Sequence, residues 1–244
     1  MKIEVWSDFV CPFCYIGKRR LEDALAQFPH KDDVEVEFKS FELDQNAPLN
    51  TGQTINEALA KKYGMTIEQA QQANEGIGQQ AKSVGLTFNF DNMKPTNTFD
   101  AHRLAKFAKT KGQEEVITEK LLYAYFTESK NLGDREVLVS VAEEAGLDRS
   151  EALAVLEDKT SYSNDVRIDE SLAQQYGVTG VPFFVINQRY AISGAQPKET
   201  FTSALEKVWA EENPAPKLQD LSGDSSVDAA CVDGNCAVPS KDEQ

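Results

Sequence analysis

The sequence predicts an α/β chain in which a long run of helices interrupts a small sheet. Three observations carry this. A strand–helix–strand unit opens the chain, capped and glycine-punctuated helices fill the middle, and strand character returns late as a hairpin followed by one more helix.

Lys2–Trp6 (KIEVW) alternates and is bounded by Ser-Asp, so it is expected as a strand. Pro12–Phe28 is expected as a helix, with Cys14, Leu21, Leu25 and Phe28 on one apolar face and Pro29 just beyond it. Val34–Phe41 alternates with Val34, Val36 and Phe38 on one side. A strand, a helix and a second strand in this order form a βαβ unit, which implies a parallel pair joined by a right-handed crossover.

Thr54-x-x-Glu57 and Thr66-x-x-Gln69 are capping boxes that open two helices, closed at Gly64 and Gly85. Helical periodicity continues over Asn97–Thr110, Gln113–Thr127, Asp134–Ala145, Ser150–Asp158 and Ser163–Tyr176. Pro182–Asn187 and Tyr190–Ser193 then pair as a hairpin, and Pro197–Glu212 is the last helix. From Asn213 the composition turns to Pro, Gly, Ser and acidic residues, which predicts a flexible tail. The expected organisation is one sheet-bearing domain built from 1–43 and 170–212, a helical insertion over 44–169, and a tail over 213–244.

The 244 residues can bury a full core without disulfides. The net charge of −15 argues against nucleic acid and anionic membranes as partners, and no apolar run approaches the length of a membrane span. Taking Met1 as the natural start, the N-terminus lacks the apolar core of a secretory signal, so a cytoplasmic location is expected. Structural disulfides are rare there. Two close cysteine pairs, Cys11/Cys14 and Cys231/Cys236, therefore call for a chemical explanation.

Cys11-Pro12-Phe13-Cys14 sits between the end of a strand and the start of a helix. Cys11 falls at the helix N-terminus, where free N–H groups and partial positive charge favour a thiolate. Pro12 occupies the first turn, where its missing N–H costs nothing. Cys14 lies on the apolar face and should be the more sheltered thiol. One exposed, activated thiol with a sheltered one three residues on suits thiol–disulfide exchange, Cys11 attacking and Cys14 resolving. A zinc site would need two further ligands, and the C-x4-C pair is remote in sequence, so no metal is expected. The second signal is Gly177-Val-Thr-Gly-Val-Pro-Phe-Phe, with Pro182 at the head of a strand. A cis Val181–Pro182 bond would present the Val181 backbone to an extended substrate; an ordinary trans proline is the alternative.

The Cys-Pro-x-Cys junction together with the late T-G-V-P-F-F strand resembles the thioredoxin fold, and the helical insertion resembles the DsbA family. W-S-D-F-V-C-P-F-C-Y-I-G, N-T-F-D-A-H-R-L at 97–104 and G-V-T-G-V-P-F-F look like its cytoplasmic FrnE-like branch. The resemblance implies a thioredoxin-like fold with a large helical insertion and a protein dithiol–disulfide oxidoreductase or isomerase. It makes Cys11 the nucleophile, Cys14 the resolving thiol and Pro182 the cis-proline facing them, with Val181, Phe13 and Pro12 beside the substrate. It implies no cofactor. The partners would be protein disulfides and dithiols, with glutathione or a thioredoxin-type reductant as electron partner. DsbA-type enzymes commonly carry His where Phe13 stands, so a weaker oxidant is expected.

The runner-up is a glutathione-dependent isomerase or transferase of the 2-hydroxychromene-2-carboxylate isomerase or kappa-class type. These usually carry Ser at the first position, whereas here both positions are Cys. A non-enzymatic chaperone or metal-binding role for the acidic tail is a third reading. Asp8 is close enough in sequence to accept a proton from the thiols. His102 suits a core or rim position better than a catalytic one, and His30 a solvated helix end. Trp6, Phe9, Phe13 and Tyr15 are candidates for an apolar collar, Trp6 fitting the core better. Cys231 and Cys236 are expected as an auxiliary redox pair, brought together by the turn-prone Asp-Gly between them, and an inert local pair is the alternative.

Overall fold

The computed structural model describes residues 1–214 and the backbones of Cys231–Val232 and Asn235–Cys236. Met1–Trp209 form one compact unit. The expected tail lies almost wholly outside the described residues.

The opening unit is β1 (Lys2–Ser7), α1 (Pro12–Gln27) and β2 (Glu35–Ser40), with β1 and β2 parallel and in register from Lys2 opposite Glu35 to Ser7 opposite Ser40. Seven helices follow: α2 (Ile55–Tyr63), α3 (Ile67–Lys82), α4 (Phe99–Thr110), α5 (Glu114–Phe126), α6 (Arg135–Glu144), α7 (Arg149–Glu157) and α8 (Ser163–Gln175). The hairpin β3 (Phe183–Ile186) and β4 (Tyr190–Ser193) returns antiparallel to β1, giving the sheet order β2-β1-β3-β4, and α9 (Lys198–Glu212) closes the unit. Expected and observed helix ends agree to within a turn, as fraying ends do. Both capping boxes form: the Thr54 and Thr66 hydroxyls accept from the N–H of Glu57 and Gln69, whose side chains reach back to the Thr54 and Thr66 N–H groups. The expected boundary at 169/170 falls inside α8.

The insertion packs its own core around Leu104, Phe107, Leu121, Tyr125, Phe126 and Val139. A second core joins Ile3, Val5 and Phe184 of the sheet to Leu21 and Phe28 and to Phe201 and Leu205 of α9. α1 lies between them and is buried all round from Cys14 to Lys18. An apolar stripe on one face does not show this, because Tyr15 and Ile16 face the insertion while Leu21 and Ala24 face the sheet.

Charge also crosses between the layers. Asp169 of α8 accepts from the Ser40 N–H at 2.8 Å and pairs with Lys106 of α4, while its carbonyl accepts from the Trp6 indole at 2.9 Å. Arg103 of α4 is buried to 1% exposure and donates to the carbonyls of Val155, Asp158 and Ser161 and to the Asp100 carboxylate. It thereby satisfies the frayed end of α7 and the turn into α8, where no helical N–H is available.

Replacing Arg103 with Met takes the guanidinium from the Val155 and Ser161 carbonyls, while the Asp158 carbonyl keeps the Ser161 N–H at 3.1 Å. The expected loss is about 3 kcal/mol of unfolding free energy, the scale of breaking a buried hydrogen-bonded charge. Urea denaturation of the two proteins measures it, and a loss below about 1 kcal/mol would show that water replaces the guanidinium.

Candidate active site

β1 ends at Ser7, the chain turns through Asp8–Val10, and Cys11 becomes the N-cap of α1 with extended backbone (φ −91°, ψ 111°) and Pro12 as the first helical residue. The turn is closed by the Cys11 N–H donating to the Asp8 carbonyl at 3.1 Å, and the helix opens with the Cys14 N–H donating to the Cys11 carbonyl at 3.0 Å. Phe9 anchors the turn by packing on His102 of α4, ring centroids 4.7 Å apart.

Both thiols are free, and both are buried, Cys11 at 4% and Cys14 at 2% exposure. The expected contrast of an exposed and a sheltered cysteine is therefore corrected. The Val181–Pro182 segment lies against Cys11, whose Sγ donates to the Val181 carbonyl at 3.5 Å. The Val181–Pro182 peptide is cis. The sulfurs differ in environment rather than in area. Burial pushes the Cys14 thiol well above its ordinary range, and the hydrogen bond it gives to the Cys11 sulfur pushes it further. Hydrogen bonds from the Asp8 backbone and the Ser7 side chain act in the opposite direction.

Of the other predicted site residues, Pro182 is buried, Val181 and Pro12 are half-buried, and Phe13 is exposed. A groove of about 250 Å³ runs beside Thr179, Val181, Pro182, Ser193 and Gly194. The aromatic collar reduces to Phe13, because Trp6, Phe9 and Tyr15 are core residues at 0%, 5% and 1% exposure. Each of those three rings packs inward against the insertion or α8. His30 is exposed and stacks on Trp209. Across the tail, the backbone of Cys231 pairs antiparallel opposite Cys236; their side chains lie outside the described residues.

Two features of the site went unread in the sequence. Gly17 is one: a Cβ there would stand 3.0 Å from Pro182 Cγ and 3.2 Å from Phe184 Cζ, so only glycine lets α1 approach β3 so closely. Its signal was a glycine inside a helix, which costs about 1 kcal/mol against alanine and so asks for a packing reason. The other is the burial of Asp8 and His102 together, at 1% and 3% exposure, with Asp8 Oδ1 3.4 Å from His102 Nε2. Asp8 Oδ2 accepts from the Leu43 N–H at 2.7 Å.

A dithiol at a strand–helix junction, faced by a cis-proline and roofed by a helical insertion, defines a class of thioredoxin-like proteins. Residues 2–206 match the family model for the DSBA-like thioredoxin domain, and the chain belongs to that family. It is 43% identical to the probable DsbA oxidoreductase of Streptomyces coelicolor, with a TM-score of 0.84 over 98% of this chain and 100% of that one. It is 31% identical to the uncharacterized protein YwbO of Bacillus subtilis (strain 168), over 83% of this chain and 94% of that one. At 15% identity the fold is shared with the cytosolic disulfide reductase DsbM from Pseudomonas aeruginosa, solved with GSH (TM-score 0.60; 86% and 99% covered). It is shared to the same degree with 2-hydroxychromene-2-carboxylate isomerase (TM-score 0.62; 87% and 98% covered).

The raised Cys14 thiol links stability to pH. Its proton is held more tightly folded than unfolded, where a free cysteine loses it near about pH 8.5. The stability it contributes to the reduced protein is complete below that pH and is lost as pH rises toward the folded value. Urea denaturation of the reduced protein across alkaline pH should show a steeper loss for the wild type than for Cys14→Ala; equal slopes would overturn this.

Proposed function

We propose that the chain is a protein dithiol–disulfide oxidoreductase or isomerase working through Cys11-Pro12-Phe13-Cys14, on the FrnE-like branch of its family. The observation that carries this reading is the pair of free thiols at the start of α1, Cys11 at the N-cap with its Sγ against the Val181 carbonyl and Cys14 kept a thiol by burial three residues on. The Cys11 thiolate attacks a substrate disulfide, forming a mixed disulfide and releasing one substrate thiolate. Cys14 then attacks Cys11 Sγ. The Cys11–Cys14 bond forms, the bond to substrate breaks, and its electron pair leaves on the second substrate sulfur. The reverse sequence oxidises a substrate dithiol.

The Val181 carbonyl and the groove beside Pro182 are the place for an extended substrate backbone, with Phe13 as its exposed apolar contact. Protein disulfides and dithiols are the substrates, and glutathione or a thioredoxin-type reductant restores the dithiol. DsbM, solved with GSH, supports the glutathione arm, and its cytosolic name supports a cytoplasmic location. With Phe13 between the cysteines there is no imidazolium to stabilise the thiolate, which favours a weaker oxidant. Cys231 and Cys236 serve as an auxiliary pair: their backbone register puts them opposite one another, a spacing of about 4.5–5.5 Å between Cα atoms in antiparallel ladders and within disulfide reach.

Cys11→Ser should abolish insulin reduction while leaving the fold intact, and Cys14→Ala should accumulate mixed disulfides with protein substrates. Full insulin-reducing activity in Cys11→Ser would overturn the assignment. For the auxiliary pair, replacing Cys231 and Cys236 together by Ser should slow steady-state turnover but leave the Cys11 half-reaction unchanged. Identical turnover would remove the pair from the mechanism.

A further inference from the structure

A polar pocket of about 480 Å³ lies on the insertion, lined by α2, α3 and the segment 88–91, and the dithiol chemistry makes no use of it. Its volume suits a small organic ligand. One wall is aromatic and held in place. Phe88 meets Phe90 edge-on, with centroids 5.8 Å apart, and is itself stacked on Phe126 and on Tyr15. The backbone between the two rings is tied to the end of α5 and the turn after it. The Asn89 N–H donates to the Phe126 carbonyl at 2.7 Å, and the Ser129 hydroxyl donates to the Asn89 carbonyl at 2.8 Å.

Two buried amides form another part of the lining. Asn56 of α2 and Asn74 of α3 are 4% and 3% exposed. Asn74 Nδ2 donates to Asn56 Oδ1 at 2.7 Å. That bond leaves Asn56 Nδ2 and Asn74 Oδ1 without a hydrogen bond among the described residues. Buried amides are seldom left half-used, so a donor and an acceptor side by side at a pocket wall ask for a ligand with the complementary pair. Turning both amides over exchanges their roles and leaves the same pattern.

We propose that this pocket binds a small molecule carrying a primary carboxamide or a lactam on an apolar ring. The ligand carbonyl accepts from Asn56 Nδ2, its N–H donates to Asn74 Oδ1, and its ring lies against Phe88 and Phe90. The inference stands apart from the reading of Cys11 and Cys14. Other ligand classes fit the lining less well. Glu75 and Asp91 outnumber Lys82 there, which disfavours carboxylates and phosphates. Among the described residues no group of His, Cys, Asp and Glu is arranged to hold a metal. A single trans peptide group turns its C=O and N–H to opposite sides, so it meets one of the two amides. A primary carboxamide or lactam presents both on one side and meets the two together.

Three probes that share a benzene ring and differ in the polar edge test this on the full chain: benzamide, N-methylbenzamide and benzoate. Calorimetry should give one benzamide site, of millimolar strength for so small a ligand. The trans amide N-methylbenzamide and the anion benzoate should each bind about tenfold more weakly, the worth of one lost hydrogen bond. Benzamide should also move the side-chain N–H resonances of Asn56 and Asn74. A Cβ at Gly78 would meet Phe90 Cε2 at 3.9 Å, so a side chain can be built into the pocket without disturbing α3. Gly78→Leu should therefore remove benzamide binding. Gly76→Leu, with open space around it on the same helix and outside the lining, should keep it. Asn56→Asp retains an acceptor for Asn74 Nδ2 but replaces the free donor with an acceptor. It should lose benzamide and take benzamidine, whose two nitrogens both donate.

The proposal is overturned if the wild type binds no benzamide, or if benzoate or N-methylbenzamide binds as tightly. It is equally overturned if Gly78→Leu binds like the wild type or if Asn56→Asp still prefers benzamide. Where thermal unfolding shows that a variant does not fold, the ranking of the three probes and the asparagine resonances of the wild type decide. A wild type that fails to reduce insulin removes the dithiol reading and leaves this result as it stands.

Discussion

Between Cys14 and Ala24, α1 is enclosed from both sides, and the position of the groups at the site depends on that enclosure. Tyr15 and Ile16 enter the core of the insertion, while Leu21 and Ala24 enter the core of the sheet. Each large apolar side chain buried in this way contributes on the order of 1.5–3 kcal/mol, so the helix cannot shift without loosening two cores at once. Lys18 is drawn inside with them. Its ammonium is tolerated there because Glu119 of α5 meets it at 2.7 Å, with Glu22 as a second partner. Glu119 also accepts from the Tyr15 hydroxyl at 2.5 Å and pairs with Arg19. One carboxylate from the insertion therefore fixes the rotation of α1 about its own axis. That rotation decides which sulfur faces Val181 and which faces Ser7.

Much of this was legible, and the reasons are local. The strand–C-x-x-C–helix junction, the two capping boxes and the hairpin each depend on residues within a few positions of one another, so period and turn chemistry reveal them. The cis-proline belongs with these, since Thr-Gly-Val-Pro at a strand head is a short-range signal. What stayed hidden was produced by elements far apart in the chain. Cys11 is buried because Val181 arrives 170 positions later. Phe9 and Tyr15 looked like a substrate collar because nothing in their own segment says that α4 and α5 will cover them. The two-sided burial of α1 defeats a search for a single stripe for the same reason.

The long-range charges follow a single rule. With a net charge of −15 the chain carries an excess of carboxylates, yet several of those taken into the interior meet a cation or a backbone N–H. Asp169 meets Lys106 and the Ser40 N–H, and Glu42 meets Arg167. Glu37 is the clearest case: burial would raise its carboxyl, but hydrogen bonds from Lys109, Lys2 and Lys39 outweigh this and hold it far below the usual carboxylate range. Single oxygens fall outside that pattern: Glu4 Oε2, Glu42 Oε1 and Asp8 Oδ1 are buried without a hydrogen-bond partner, and Asp8 Oδ1 faces the equally unpartnered His102 Nε2 at 3.4 Å.

The helical insertion is therefore part of the site. The sheet unit supplies the sulfurs, Ser7, Asp8 and the cis-proline segment. The insertion supplies the His102 ring that holds Phe9 and the Glu119 clamp on α1. Interchange of a dithiol and a disulfide moves protons as well as electrons. The helix N-terminus and the backbone at Val181 act on the outer sulfur, Cys11, and leave the inner one untouched. α4 is itself tied to the sheet, Lys106 donating to the Phe38 carbonyl of β2 and Lys109 pairing with Glu37, while its His102 ring packs on Phe9. The turn that carries Cys11 into α1 is therefore held by the insertion as well as by β1, and a substitution in α4 acts on the site through that turn.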